Sequence, residues 1–70
     1  MTTHLTKISG EVRERRKSLR LSQQELADLA DCSTRFIHAL EHGKQTVRLD
    51  KLLDVLEVLG MELTATVRRP

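Results

Sequence analysis

Residues 21–43 read LSQQELADLADCSTRFIHALEHG, two short helical patterns on either side of a tight turn. Ser22 followed by Glu25 is a capping box. The serine hydroxyl takes the amide of the third helical residue while the glutamate reaches back to the serine amide. A helix is therefore expected over about 23–30. Leu26, Ala27, Leu29 and Ala30 give it an apolar stripe at helical spacing, and Gln24, Glu25 and Asp28 stay polar. Asp31 should end it, because Asp accepts the left-handed backbone of a sharp turn, and Ser33 is a second good N-cap. The next helix is expected over about 34–42, with Phe36, Ile37 and Leu40 turned inward. Thr34, Arg35, His38 and His42 fall on exposed or partly exposed positions, and Gly43 supplies a left-handed stop. Helix, tight turn and helix at this spacing form a helix-turn-helix, the arrangement that sets a second helix into a DNA groove.

The flanking sequence completes the domain. Ile8, Val12 and Leu19 mark the buried line of a first helix over about 7–19, and Leu49, Leu52, Leu53, Leu56 and Leu59 give a last helix over about 49–59 a broad apolar face. Asp50 in its first turn suits the helix dipole, and Gly60 ends it. From Met61 the period changes to two. Met61, Leu63, Ala65 and Val67 alternate with Glu62, Thr64 and Thr66, the pattern of a half-buried strand over about 61–67. A lone strand leaves its backbone groups unpaired, and no other run in the chain is strand-like, so its expected partner is a second copy pairing antiparallel about a twofold axis. The alternative is a frayed or docked tail, common at chain ends. The expected fold is mainly α: one four-helix domain over residues 1–70, with one C-terminal strand paired across a dimer.

Seventy residues give one domain, whose core supplies roughly 3–5 kcal/mol unless a disulfide, metal or partner chain assists. Cys32 is the single cysteine, which excludes an intrachain disulfide and suits a reducing cytosol. No apolar run approaches the roughly 20 residues of a membrane span, and MTTHLTKISG lacks a signal-peptide core, so a cytoplasmic, nucleoid-associated protein is expected. Net charge is only +2, from 12 Lys and Arg against 10 Asp and Glu, so distribution matters more than the sum. Lys7, Arg13, Arg15, Arg16, Lys17 and Arg20 crowd the first third and Lys44 and Arg48 follow the second helix of the motif, whereas Asp50, Asp54, Glu57 and Glu62 gather later. A merely solvated helix surface would look similar; the helix-turn-helix is what favours DNA as the partner. The three glycines are isolated, which leaves no phosphate-cradling loop.

With Gln23 opening the second helix, Ala27 at its close packing point, Ile37 and Leu40 inside, and Glu41 before Gly43, the chain resembles the phage-repressor and Cro-like (XRE-type) helix-turn-helix family, of lambda-repressor-like fold, over about residues 8–60. Residues 52–67, LLDVLEVLGMELTATV, are similar to small HipB-like antitoxins, in which a final helix leads straight into one strand. The resemblance implies a sequence-specific transcriptional repressor binding an inverted-repeat operator in double-stranded DNA as a homodimer. The HipB-like part implies the antitoxin of a type II toxin-antitoxin operon that also binds a HipA-type kinase toxin. Arg20 and Asp31 depart from the family pattern, standing where glycine is frequent, so both turns must hold a left-handed residue with a side chain.

By position in the family motif, Thr34 and Arg35 point to base edges, with His38 and Ala39 one turn on; Arg35, able to grip guanine O6 and N7 together, leads. Gln23, Ser33, Lys44, Gln45 and Thr46 are the expected phosphate contacts, Gln23 helped by the positive end of its helix. For Arg35 the plain alternative is a surface ion pair with Asp28 or Asp31, and for Gln23 simple helix-end polarity. Arg16 and Glu41 stand where many relatives form an interior ion pair. Phe36, the single aromatic, is expected in the core rather than between bases.

His38, Glu41 and His42 also spell HALEH, an inverted zinc-protease pattern. Such a site needs a third ligand and a substrate cleft, so neither a metal nor another cofactor is expected, and at most His38 and His42 bind metal adventitiously. No nucleophile–base set or paired catalytic carboxylates can be assembled, which argues against an enzyme. A stand-alone phage-type repressor without a toxin and a protein-interaction module using the motif as scaffold are the remaining readings.

Overall fold

The computed structural model describes residues 3–44 and 46–68. Their elements are α1 (Thr3–Ser18), α2 (Gln23–Leu29), α3 (Thr34–Glu41) and α4 (Leu49–Val58). The capping box forms in full: Glu25 N donates to Ser22 Oγ at 3.0 Å and Ser22 N to Glu25 Oε1 at 2.8 Å. Ser33 caps α3 one way, its Oγ accepting from Phe36 N at 3.0 Å with no side chain returning the bond. Each cap satisfies an amide that the first helical turn would leave without a partner.

All four helices end alike. The amide two residues past each C-cap reaches back to a helical carbonyl: Leu21 N to Arg16 O, Cys32 N to Ala27 O, Lys44 N to Ala39 O, and Met61 N to Leu56 O, at 2.8–3.1 Å. This Schellman closure requires a left-handed residue immediately past the C-cap. Those residues are Arg20 (φ 59°), Asp31 (φ 56°), Gly43 (φ 76°) and Gly60 (φ 69°). The chain thus carries the steric cost of a left-handed side chain at its first two turns and avoids it at the last two.

Val12, Leu26, Ala27, Ala30, Ile37, Leu40, Leu52, Val55, Leu56 and Leu59 form the core, with Ile8, Leu21, Cys32, Phe36, Val47, Val58 and Met61 packed against it. Helix α2 packs on α3 and α4, and α1 on α3. Phe36 is half-buried against the core. Burial pushes the Cys32 thiol up, against the lowering effect of Lys51.

Several sequence expectations change. Helix α1 begins at Thr3, earlier than 7; Leu5, Ile8 and Val12 extend its inward line, and Ser9 folds its hydroxyl back onto Leu5 O at 2.8 Å. Leu19 is exposed because it lies past the last turn of α1. Leu29 is 62% exposed and Leu49 59%, and Leu53 is exposed too: four short helices meeting at one core cover only one side of each apolar stripe. The strand over 61–67 is the largest correction. Among the described residues no strand forms, and residues 62–68 are exposed, Val67 at 95%. Only Met61 turns back onto the core. The physical reason is the one that made the segment conspicuous, since the described residues offer this segment no second strand.

Candidate nucleic-acid interface

The outer face of α3 is built from the inside outward. Arg16 of α1 meets Glu41 at the end of α3 through two parallel bonds, Nε to Oε2 at 2.6 Å and Nη2 to Oε1 at 3.0 Å. Its Nη1 donates to Leu21 O at 2.8 Å, and Gln23 Nε2 adds a third bond to the carboxylate at 3.1 Å. The Glu41 side chain has no exposed surface and that of Arg16 has 11%. Burial alone would raise the Glu41 pKa, but the bonds from Arg16 and Gln23, with the charges of Arg16 and Arg13, hold it below the usual carboxylate range. The same hydrogen bond raises the Arg16 pKa. This knot fixes the C-terminal end of α3 against α1 and α2. It also removes Glu41 from any HALEH chemistry, because the carboxylate is turned inward while both histidines are exposed.

The other end of α3 is held by α2 and α4. Thr34 Oγ1 donates to Gln24 Oε1 at 2.7 Å, and Gln24 Nε2 donates to Asp28 Oδ1 at 2.9 Å. Lys51 of α4 donates to the carbonyl of Asp31 at 2.8 Å, pinning the left-handed turn from behind. Arg15 performs the matching task at the end of α4, its Nε on Leu59 O at 2.8 Å.

Ser33, Arg35, Phe36, Ala39, Lys44, Thr46, Val47 and Arg48 line one open hollow of about 500 Å³ beside α3. Its rim is cationic and its floor, from Phe36, Ala39 and Val47, is apolar. Arg35, Lys44, Thr46 and Arg48 are exposed and Ala39 is half-buried. Among the described residues the ion pairs are Arg16–Glu41 and Arg48–Asp50, so Arg35 is in neither. Asp50 is held below its usual range first by the hydrogen bond from Arg48, then by the amide of Lys51.

Of the residues nominated from sequence, the hollow collects Ser33, Arg35, Ala39, Lys44 and Thr46. Thr34 lies at the start of the same helix and is half-buried. His38 stands apart from the hollow: its ring stacks on His42 with centroids 3.9 Å apart, and His42 Nδ1 donates to the His38 carbonyl at 2.7 Å. Gln23 is half-buried with its amide nitrogen already on Glu41. Gln45 lies outside the described residues. Two further residues, Arg48 and Gln24, belong to this surface. Arg48 could have been found as the next cation after Lys44, but Gln24 carried no sequence signal, because its partner on α3 depends on how the helices cross.

The family model for helix-turn-helix domains matches residues 12–65, and the chain belongs to that XRE-type helix-turn-helix family. A relative from Sinorhizobium fredii, named as an uncharacterized HTH-type transcriptional regulator (y4mF), is 45% identical over 56 residues, spanning 80% of this chain and 74% of its own. Among the described residues no helix is long and apolar enough to cross a membrane.

Proposed function

We propose that this chain is a sequence-specific transcriptional repressor that binds an inverted-repeat operator as a homodimer. The observation that carries this reading is the outer face of α3, a helix anchored at both ends by neighbouring helices, with a cationic hollow beside it and Arg35 in neither ion pair found among the described residues. Thr34, Arg35, His38 and Ala39 meet base edges. Ser33, Lys44, Gln45 and Thr46 meet phosphates, with Gln23 at the edge of that set; these contacts position the helix without choosing sequence. The family membership and the name of the S. fredii relative support the regulatory role.

Dimerisation draws on the last segment. Leu53, Met61 and Leu63 line one groove between α4 and residues 61–63, and Leu49, Leu53, Leu63 and Val67 are all exposed. Pairing Met61, Leu63, Ala65 and Val67 with the same residues of a second copy would cover this surface and satisfy the backbone together. The similarity of residues 52–67 to HipB-like antitoxins supports a further role, capture of a HipA-type kinase toxin encoded beside this chain. Co-purification of the two products is its test, and their separate elution would leave a plain repressor.

The repressor reading is tested by salt titration against selected and random DNA. Arg35→Ala should cost about 1–3 kcal/mol and relax one base pair, while Lys44→Ala should weaken all sequences alike and lower the salt slope by about 1. Equal losses from both variants on both DNAs would overturn the division of roles.

A further inference from the structure

The hydrogen bonds at the start of α3 have a direction, and the direction is set from one end. Asp28 is exposed on α2 and carries a carboxylate, which only accepts. The side-chain amide of Gln24 must therefore present its nitrogen to Asp28, as it does at 2.9 Å. That turns its oxygen to Thr34, 2.7 Å away. An amide oxygen only accepts, so the single proton of the Thr34 hydroxyl is spent on Gln24. What Thr34 can offer beyond that bond is lone pairs alone.

From this chain of constraints we infer that Thr34 acts on DNA as an acceptor, reading the major-groove amino group of adenine N6 or cytosine N4, and that Asp28 and Gln24 are positioning residues that set this polarity. The inference rests on the reading of α3 as the groove-reading helix. A free threonine hydroxyl rotates and serves a donor or an acceptor with equal ease, so it discriminates poorly. A hydroxyl whose proton is committed behaves differently: guanine O6 or thymine O4 would face its lone pairs with no hydrogen between, leaving two desolvated acceptors in contact. Arg35, the next residue, is donor-only. Adjacent positions at the front of α3 thus present opposite polarities, an acceptor beside a donor fork, which suits an amino-bearing base next to a guanine.

The test locates the base pair first. Site selection from a randomised inverted-repeat library is run with the full chain and with Thr34→Val, and the pair whose preference vanishes in the variant is the one Thr34 reads. Duplexes are then made with the amino group deleted there, by unsubstituted purine for adenine or pyrimidin-2-one for cytosine, and with N7 deleted by a 7-deaza purine. The wild-type chain should lose about tenfold in affinity on amino deletion and stay within about twofold on N7 deletion. Asp28→Asn frees the amide to turn either way, so the loss on amino deletion should shrink to within about twofold. Adding Gln24→Glu to that variant restores an acceptor-only partner for Thr34 and should restore the tenfold loss; a role in folding alone would not be rescued this way.

The inference is overturned if Thr34→Val changes no preference, if N7 deletion costs the wild-type chain more than amino deletion, or if Asp28→Asn is as sensitive to amino deletion as the wild type. A chain that binds selected and random duplexes equally would overturn the repressor reading itself and this inference with it. Selective binding with an unaltered Asp28→Asn response would overturn the inference alone.

Discussion

The stretch from Ser22 to Lys44 and the stretch from Met61 to Arg68 solve the same problem in opposite ways. In the first, exposed helix ends and buried charges find partners close at hand: Ser22 and Ser33 cap two helices, Asp31 and Gly43 close them, and Glu41 takes bonds from Arg16 and Gln23. In the second, Met61 packs against the core and residues 62–68, which carry a strand's alternation, lie exposed. The contrast teaches that the proposed groove-reading half completes its contacts within one chain, whereas the proposed pairing half depends on a second. A protein that measures the spacing between two half-sites needs that division, because the self-contained part reads bases and the shared part sets distance.

The sharpest way to break the self-contained half is to leave one member of the buried pair alone. Glu41→Ala strands the Arg16 guanidinium under the surface and should cost about 3 kcal/mol, read as a fall in denaturant midpoint. Against a core of this size that approaches the whole stability of a monomer. A midpoint shift below about 1 kcal/mol would mean that the knot contributes little. Protonation breaks the same pair reversibly. The folded pKa of Glu41 lies below its usual value, so its contribution is fully present above about pH 4.3 and is lost as pH falls through the lowered value. Glu41→Gln should therefore flatten the acid arm of the stability curve; an unchanged arm would place acid sensitivity elsewhere.

Truncation after Gly60 probes the other half. It should leave the helical circular dichroism per residue of α1–α4 nearly intact while halving the mass seen by light scattering. An unchanged dimer mass would refute strand pairing and move the interface to Leu49 and Leu53 on α4.

The smallest effects sharpen the comparison among turns. Arg20→Gly and Asp31→Gly relieve a left-handed side chain at sites where the closure already demands φ near +57° in a standard left-handed residue. Each should raise stability by roughly 0.5–1 kcal/mol, with Arg20 gaining more because Asp tolerates that region better. A loss in either variant would mean the side chain contributes more than its strain costs.

Local chemistry explains how much was readable in advance. The capping box, the Ser33 cap and the stops at Asp31, Gly43 and Gly60 involve residues a few positions apart, so sequence spacing carries them, whereas the left-handed Arg20 was expected only from the resemblance to the family. What spacing cannot carry is the choice among neighbouring sides of a helix. Leu29 and Leu49 fit an apolar stripe as well as Leu26 and Leu52 do, and only the crossing of α2 with α3 and α4 decides which pair is covered. The relay from Asp28 through Gln24 to Thr34 was invisible for the same reason, since it spans two helices. Residues 61–67 show the converse limit, where periodicity states a preference for extended backbone but supplies no partner.

The whole proposal stands or falls with sequence reading by α3. The most direct test is the affinity of the full chain for its selected inverted-repeat duplex against a scrambled duplex of equal length, measured by fluorescence anisotropy at physiological salt. A ratio of at least about a thousandfold is expected, falling by roughly 5- to 150-fold when Arg35 is replaced by Ala. Equal affinities for the two duplexes, falling together as salt rises, would contradict it.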